Sequence, residues 1–350
     1  MKRTRFCILL FFTLLISNCS KFGNTKGNYV LSGITSGFTY PLCNLLLNSY
    51  LNENESAKTN HLRMNTEAGI HSFLNKTVDF SCTIILDPIN LNSEQKADIL
   101  HIPCAKGAIV FAYNLEGVEN LNLDAKTIID IYAEKIKFWN DPAIQILNPD
   151  VELKEIPITT IHYSHAEEAS NAIRNYLNQI NSEITQSDYI NKNIVYKNGL
   201  GVKGEDNMAY TIRNNSGAIG YLDAEKASLT HLSTAAIRNS SGNFIKATKE
   251  SIAKASPEEL PLDMRVNITN SPHPEAYPIS TYCWILVYKN NEEHCEKQKK
   301  LVTLLNHIIA PETQNMIKIM NYAPLSKQEI ERAENLINKI GCQEKAMSER

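Results

Sequence analysis

None of the eight cysteines in this chain stands in a Cys-x-x-Cys pair, which removes the usual frame of a structural zinc site. No long run of Lys or Arg follows the first five residues, and the net charge is only -3, so nothing marks the chain for nucleic acid. The apolar stretch at 6–16 stops at eleven residues, short of the about 20 that a bilayer-spanning helix needs. There is no internal repeat and no low-complexity block. No His or Asp stands at motif spacing to Cys82 or Cys104, so a cysteine hydrolase has no support. No metal site, cofactor motif or catalytic residue is expected.

What is present is an ordinary globular composition, 43% hydrophobic and 21% charged over 350 residues. That is enough chain for two lobes, each with its own core. The N-terminus is more specific. Three cations in MKRTR precede the apolar FCILLFFTLLI and then SNCS, the plan of a secretory signal. The ending resembles a bacterial lipobox with Cys19 as the lipidated first mature residue, although Asn18 replaces the usual small residue. A plain signal cleaved near the same place is the alternative. On the first reading, residues 1–18 are signal peptide and 19–28 a lipid-anchored tether at the bacterial cell envelope, in the periplasm or on the outer surface. Cys43, Cys82, Cys104, Cys283, Cys295 and Cys342 remain. Their number permits disulfides outside the cytoplasm, and reduced buried thiols are equally allowed.

Strand and helix patterns alternate. Strands are expected at 29–34, 61–65, 77–86, 99–114, 156–163, 216–223 and 277–289, the fourth broken at Lys106-Gly107. Helices are expected at 41–51, 69–76, 126–139, from 170, and in two closing segments beginning at Cys295 and Ser326. Such alternation implies βαβ units and a mostly parallel sheet in each lobe. Ligands of these sheets sit beyond the carboxyl ends of the strands. Four segments meet that description: ITSGFTYP (34–41), NTEAG (65–69), SCTII (81–85) and HYSHAEEAS (162–170).

The last of these is unusual. Ile173, Tyr176 and Leu177 give it a helical stripe, and Ser164 followed by Glu167 has the spacing of a capping box. A helix N-terminus is a seat for anions, yet here the chain supplies two carboxylates of its own, Glu167 and Glu168.

TVDFS (77–81), KTIIDIYAEKIKFWNDPAIQILNPDVEL (126–153), NGLGVKGEDNMAYTIRNNSGAIGYLDAEKA (198–227) and YPIS (277–280) carry a family likeness. From about residue 29 to about 335 the chain resembles the phosphate-binding periplasmic proteins of the PstS type, solute-binding components of bacterial phosphate ABC transporters. The resemblance implies a two-lobed periplasmic-binding-protein fold of type II. Residues 29–105 with 270–340 would form lobe 1, 106–269 lobe 2 and 341–350 a C-terminal tail. It also implies a monomer that delivers phosphate to transporter permease subunits.

By position, the resemblance places Ser36, Gly37, Phe38, Thr66, Thr83, Tyr163, Ser164 and Glu167 at the ligand. Several of these depart from the family. Gly37-Phe38 stands for a Thr-Phe pair, Asn65 to Gly69 for Gly-Ser-Ser-Gly-Gly, and Ile84 for an aspartate that accepts the phosphate proton. Tyr163 stands for the ion-pairing arginine, and Glu167-Glu168-Ala169 for Ser-Gly-Thr. No arginine lies between Ile156 and Ile173. Like charges at about 4 Å repel by roughly 4 kcal/mol at an effective dielectric of about 20, so Glu167 is expected to block a phosphate seat. The rival expectation is a descendant of the family that binds another solute or a protein partner.

Overall fold

The computed structural model describes residues 30–86, 97–165, 167–180, 199–290 and 295–342. The segments expected to be signal peptide and tether, Cys19 included, and the expected tail beyond residue 342 lie outside the described residues. Two strand–helix units and a third strand begin the fold. They comprise β1 (Leu31–Thr35), α1 (Tyr40–Glu53), β2 (Thr59–Arg63), α2 (Thr66–Leu74) and β3 (Phe80–Thr83). The long strand β4 (Ile99–Tyr113) then crosses into the second half. That half holds β5 (Asn122–Leu123), α3 (Ala125–Tyr132), α4 (Pro142–Gln145), β6 (Thr159–Tyr163), α5 (Glu168–Ile180), β7 (Leu200–Val202) and α6 (Gly204–Asn214). It continues through β8 (Ala218–Asp223), α7 (Ala224–Leu229), β9 (Ser233–Thr234), β10 (Ala236–Arg238), β11 (Phe244–Ile245) and α8 (Lys249–Ala253). The chain returns along β12 (Ser280–Tyr288) to α9 (Cys295–Ile309), α10 (Pro311–Ile317) and α11 (Lys327–Ile337).

The main sheet runs in the order β2-β1-β3-β12-β4-β8-β6-β7. Its outer parts are parallel, β1 with β2 and β3, and β6 with β7 and β8. Its middle is antiparallel, because β12 and β4 are the crossovers. β4 pairs with β12 through Ala108 and with β8 from Ile109, so one strand belongs to both halves. Every one of its residues is buried, which explains its unbroken apolar pattern.

The expected break at Lys106-Gly107 does not occur. Lys106 is buried because its ammonium meets Glu329 at 2.7 Å. Gly107 sits where a Cβ would come within 3.0 Å of the Tyr322 ring and 3.2 Å of the Phe38 ring. Both residues mark close packing at the crossover.

Local chemistry fixes most helix ends. α1 carries Pro41 in its first turn and buries Leu42, Cys43, Leu46, Leu47 and Tyr50, a helical stripe. α3 starts at a capping box on Asp124 and stops at Tyr132, short of the expected 139. Glu134 takes the left-handed conformation there, φ 56°, which ends a helix.

Cys43–Cys82 ties α1 to β3, and Cys295–Cys342 ties α9 to the end of the described chain. Cys104 and Cys283 are free and buried, on the adjacent crossovers. Among the described residues, no helix is long and apolar enough to cross a membrane.

Candidate functional site

The carboxyl ends of β1, β2 and β3 face those of β6, β7 and β8, and the contacts between them define the cleft. At its centre lies the Glu168 carboxylate, on the first residue of α5. One oxygen accepts from the Ser36 hydroxyl at 2.5 Å. The other accepts from the Thr83 hydroxyl and, at 3.3 Å, from the Ile84 N–H. All three donors come from the opposite half. Each hydroxyl is itself oriented, Ser36 Oγ accepting from the Thr39 N–H and Thr83 Oγ1 from the Ile85 N–H. Such chains polarise one another.

Glu168 is 2% exposed. Burial pushes its carboxyl up to about 7, against the pull of Ser36, Thr83 and Ile84 and with a further push from Glu167. Sequence reasoning expected Glu167 to fill the seat, and Glu168 fills it. α5 begins at Glu168, and the Glu167 carbonyl accepts its first helical bond from Asn171. The capping box therefore never forms. Ser164 is exposed and donates to the Val202 carbonyl at 3.1 Å. The signal for the right residue was present, since Glu168 lies four and eight positions before the buried Ala172 and Tyr176.

The other expected positions are distributed around this carboxylate. Phe38 is 3% exposed, and its carbonyl accepts from the Tyr322 hydroxyl. Gly37 leaves room for Arg63, whose Nη2 would lie 3.3 Å from an added Cβ. The Thr66 hydroxyl is buried with no partner among the described residues, while Asn65 caps α2 by accepting from the Ala68 N–H. Tyr163 is buried edge-on against Tyr221 at 5.5 Å, and its hydroxyl also lacks a partner among the described residues. Burial, then the charges of Glu205, Glu167 and Asp223, hold that phenol well above its ordinary pKa.

Sequence reasoning missed the rest of the wall. Arg63, at the end of β2, pairs with Asp206 of α6 at 3.6 Å across the cleft. It also lowers the pKa of Glu205 and of Glu167, although burial raises both overall, Glu205 to about 7. Asp223 is fully buried at the end of β8 and accepts from the Tyr322 hydroxyl at 2.7 Å. Glu225 accepts from the Asn321 N–H at 2.6 Å. Arg63 sits two residues before NTEAG, the position from which it was findable. The distant tyrosine had no local signal.

Chemically this is a cradle of hydroxyl and amide donors for two anionic oxygens, with Arg63 and Lys226 both paired to Asp206 at its rim. Neither Cys82 nor Cys104 is available as a nucleophile: Cys82 is in a disulfide, and burial pushes the Cys104 thiol up to about 12.

Residues 23–310 match the family model described as PBP superfamily domain. The chain is 28% identical over 276 residues to the phosphate-binding protein PstS of Xylella fastidiosa (strain Temecula1), covering 77% of this chain and 75% of that protein. In fold it is similar to the phosphate-binding protein of Stenotrophomonas maltophilia, with a TM-score of 0.63 at 14% identity over 87% of this chain and 92% of that one. The ABC-type phosphate transport receptor from Vibrio cholerae gives a TM-score of 0.56 at 14% identity over 84% and 100%.

Proposed function

This chain belongs to the PBP superfamily domain family, and on that premise we propose that it is the phosphate-binding component of an ABC transporter, a solute carrier and not an enzyme. The observation that carries this reading is the cradle of Ser36, Thr83 and the Ile84 N–H, which holds two anionic oxygens between the two halves of the fold. Curated relatives that bear the name phosphate-binding protein PstS support phosphate as cargo.

The same cradle makes the binding weak. With Tyr163 in place of an arginine fork, the site loses a charge-assisted contact worth about 1.5–3 kcal/mol, one to two powers of ten at about 1.4 kcal/mol each. Calorimetric titration of residues 20–350 with inorganic phosphate is expected to give saturable binding with a millimolar dissociation constant. A low micromolar constant would show that other donors, Arg63 foremost, replace the lost arginine. No saturable heat in the millimolar range would move the assignment to a second reading, a carrier of another solute or a surface for a protein partner. Glu168 and Tyr163 at the anion seat favour that rival.

The setting we propose is the bacterial cell envelope, with residues 1–18 removed as signal peptide and the monomer held to a membrane by lipid on Cys19. The charged start, the eleven-residue apolar core and the cysteine that ends it support the anchor. Cys19→Ala is expected to release the protein from membranes or to leave it as an unprocessed precursor. Unchanged mobility and membrane fractionation would count against lipidation.

A further inference from the structure

We infer that Glu168 is a tethered ligand: carried by one lobe and received by Ser36, Thr83 and the Ile84 N–H of the other, its carboxylate closes the cleft without solute and must leave before an anion enters. The inference deepens the solute-binding reading and rests on it for the purpose of the cleft.

Three observations carry it. First, the seat is sealed, with Ser36 at 5%, Thr83 at 1% and Glu168 at 2% exposure. The carboxylate occupies all three donors, so an external anion reaches them only by replacing it. Second, closure is completed by the chain's own groups. Arg63 meets Asp206, the Tyr322 hydroxyl meets Asp223 and the Asn321 N–H meets Glu225, each joining one half to the other. Third, the carboxylate has somewhere to go. Glu168 also lines a cavity of about 470 Å³ bounded by Asn171, Arg174, Thr269 and Trp284. A change of side-chain rotamer moves the carboxylate toward that space and frees three donors.

A ligand on the same chain competes at an effective concentration in the millimolar range. A solute that needs the open seat binds more weakly in proportion to the fraction of time the seat is open. Glu168 therefore sets affinity without contacting the solute, by occupying its place.

The test uses residues 20–350, which keep every described element, without solute. Small-angle scattering and amide exchange at Ile84 report opening directly. The wild type is expected to scatter as the closed form and to gain no compactness on adding phosphate. Glu168→Ala is expected to open, with a larger radius of gyration and Ile84 exchange faster by about tenfold or more. Ser36→Ala with Thr83→Val removes the receiving hydroxyls instead and is expected to open the cleft equally, which guards against a misfolded Glu168 variant.

A solute-free wild type as extended as Glu168→Ala, or variants as compact as the wild type, would overturn the inference. Phosphate titration of the same proteins is expected to tighten by about tenfold or more in Glu168→Ala. Opening without any phosphate binding would leave the latch standing and sink the phosphate assignment.

Discussion

Glu329→Ala is expected to destabilise the protein by about 3–5 kcal/mol, the cost of stranding a buried charge. Lys106 on β4 and Glu329 on α11 are 1% and 0% exposed, with the ammonium 2.7 and 2.9 Å from the two carboxylate oxygens. The same carboxylate accepts from Ser256 at 2.6 Å, from the Tyr282 hydroxyl, and from the Ser326 N–H of its own capping box. Burial alone would raise the Glu329 pKa, but Lys106 and these donors outweigh it and hold the group below the ordinary carboxylate range.

Truncation removes the counter-charge and leaves Lys106 with only neutral oxygens. It also loosens the N-terminus of α11, whose capping box uses Glu329. Since Lys106 lies where β4 passes from one half to the other, the pair pins the closing helix to the crossover about which the halves would move. Thermal or urea unfolding measures the loss. Lys106→Met combined with Glu329→Leu is expected to regain most of it, since apolar side chains of similar volume need no partner. A loss below about 1 kcal/mol in Glu329→Ala would mean that water reaches the ammonium.

The contrast between this pair and the cleft explains what was legible in the sequence. Period-two and period-3.6 patterns belong to neighbours along the chain, so the alternation of strands and helices could be read directly. The four loops at strand ends followed from it: two of them supply the donors to Glu168 and a third carries Glu168 itself. At the 162–170 loop the expectation is off by one residue, Glu167 for Glu168. Ser164 and Glu167 have capping spacing, but Ser164 bonds to Val202 on a strand 38 residues later, and that tertiary contact displaced the local one. Lys106 was misread as a break for the same kind of reason. Its partner Glu329 is 223 residues away, and no window of sequence joins them.

The cysteines show a further limit. Cys43 and Cys82 pair, whereas Cys104 and Cys283 stay reduced on adjoining strands. Cys43 stands on a helix packed against the strand that carries Cys82, and that pairing is set by tertiary contact. Count and spacing do not contain that information.

The acids gathered behind Glu168 give the second large effect, on stability against pH. Stability is expected to be higher at about pH 5 than at about pH 8, the reverse of what paired surface carboxylates produce. Burial raises Glu168 from 4.5 to about 7 and Glu205 likewise, and it drives Asp223 well above its ordinary value. Glu167 pushes Glu168 up and Ser36, Thr83 and Ile84 pull it down, while Arg63 and Lys226 pull Glu205 down.

An acid whose folded-state pKa lies above its unfolded value holds extra protons in the native state between the two. The cost of ionising it where it is buried is absent below the unfolded value and complete above the folded one. Stability is thus lost as pH rises from 4.5 through about 7. For Glu168 the shift corresponds to roughly 3 kcal/mol at about 1.4 kcal/mol per pH unit.

At lower pH the sign changes. Glu329 and Asp130 have lowered pKa values, so their stabilisation is lost as pH falls below the usual carboxylate range. A maximum near pH 5 follows from the two opposing sets, to about one pH unit. Glu168→Gln removes one of the raised groups while keeping an acceptor for Ser36 and Thr83, and it is expected to flatten the curve between about pH 5 and pH 8. Unfolding free energies measured across that interval decide the matter: a wild-type curve that climbs toward pH 8, or a Glu168→Gln curve parallel to it, would mean that the cleft carboxyls ionise in contact with water and that Glu168 is not sealed in its seat.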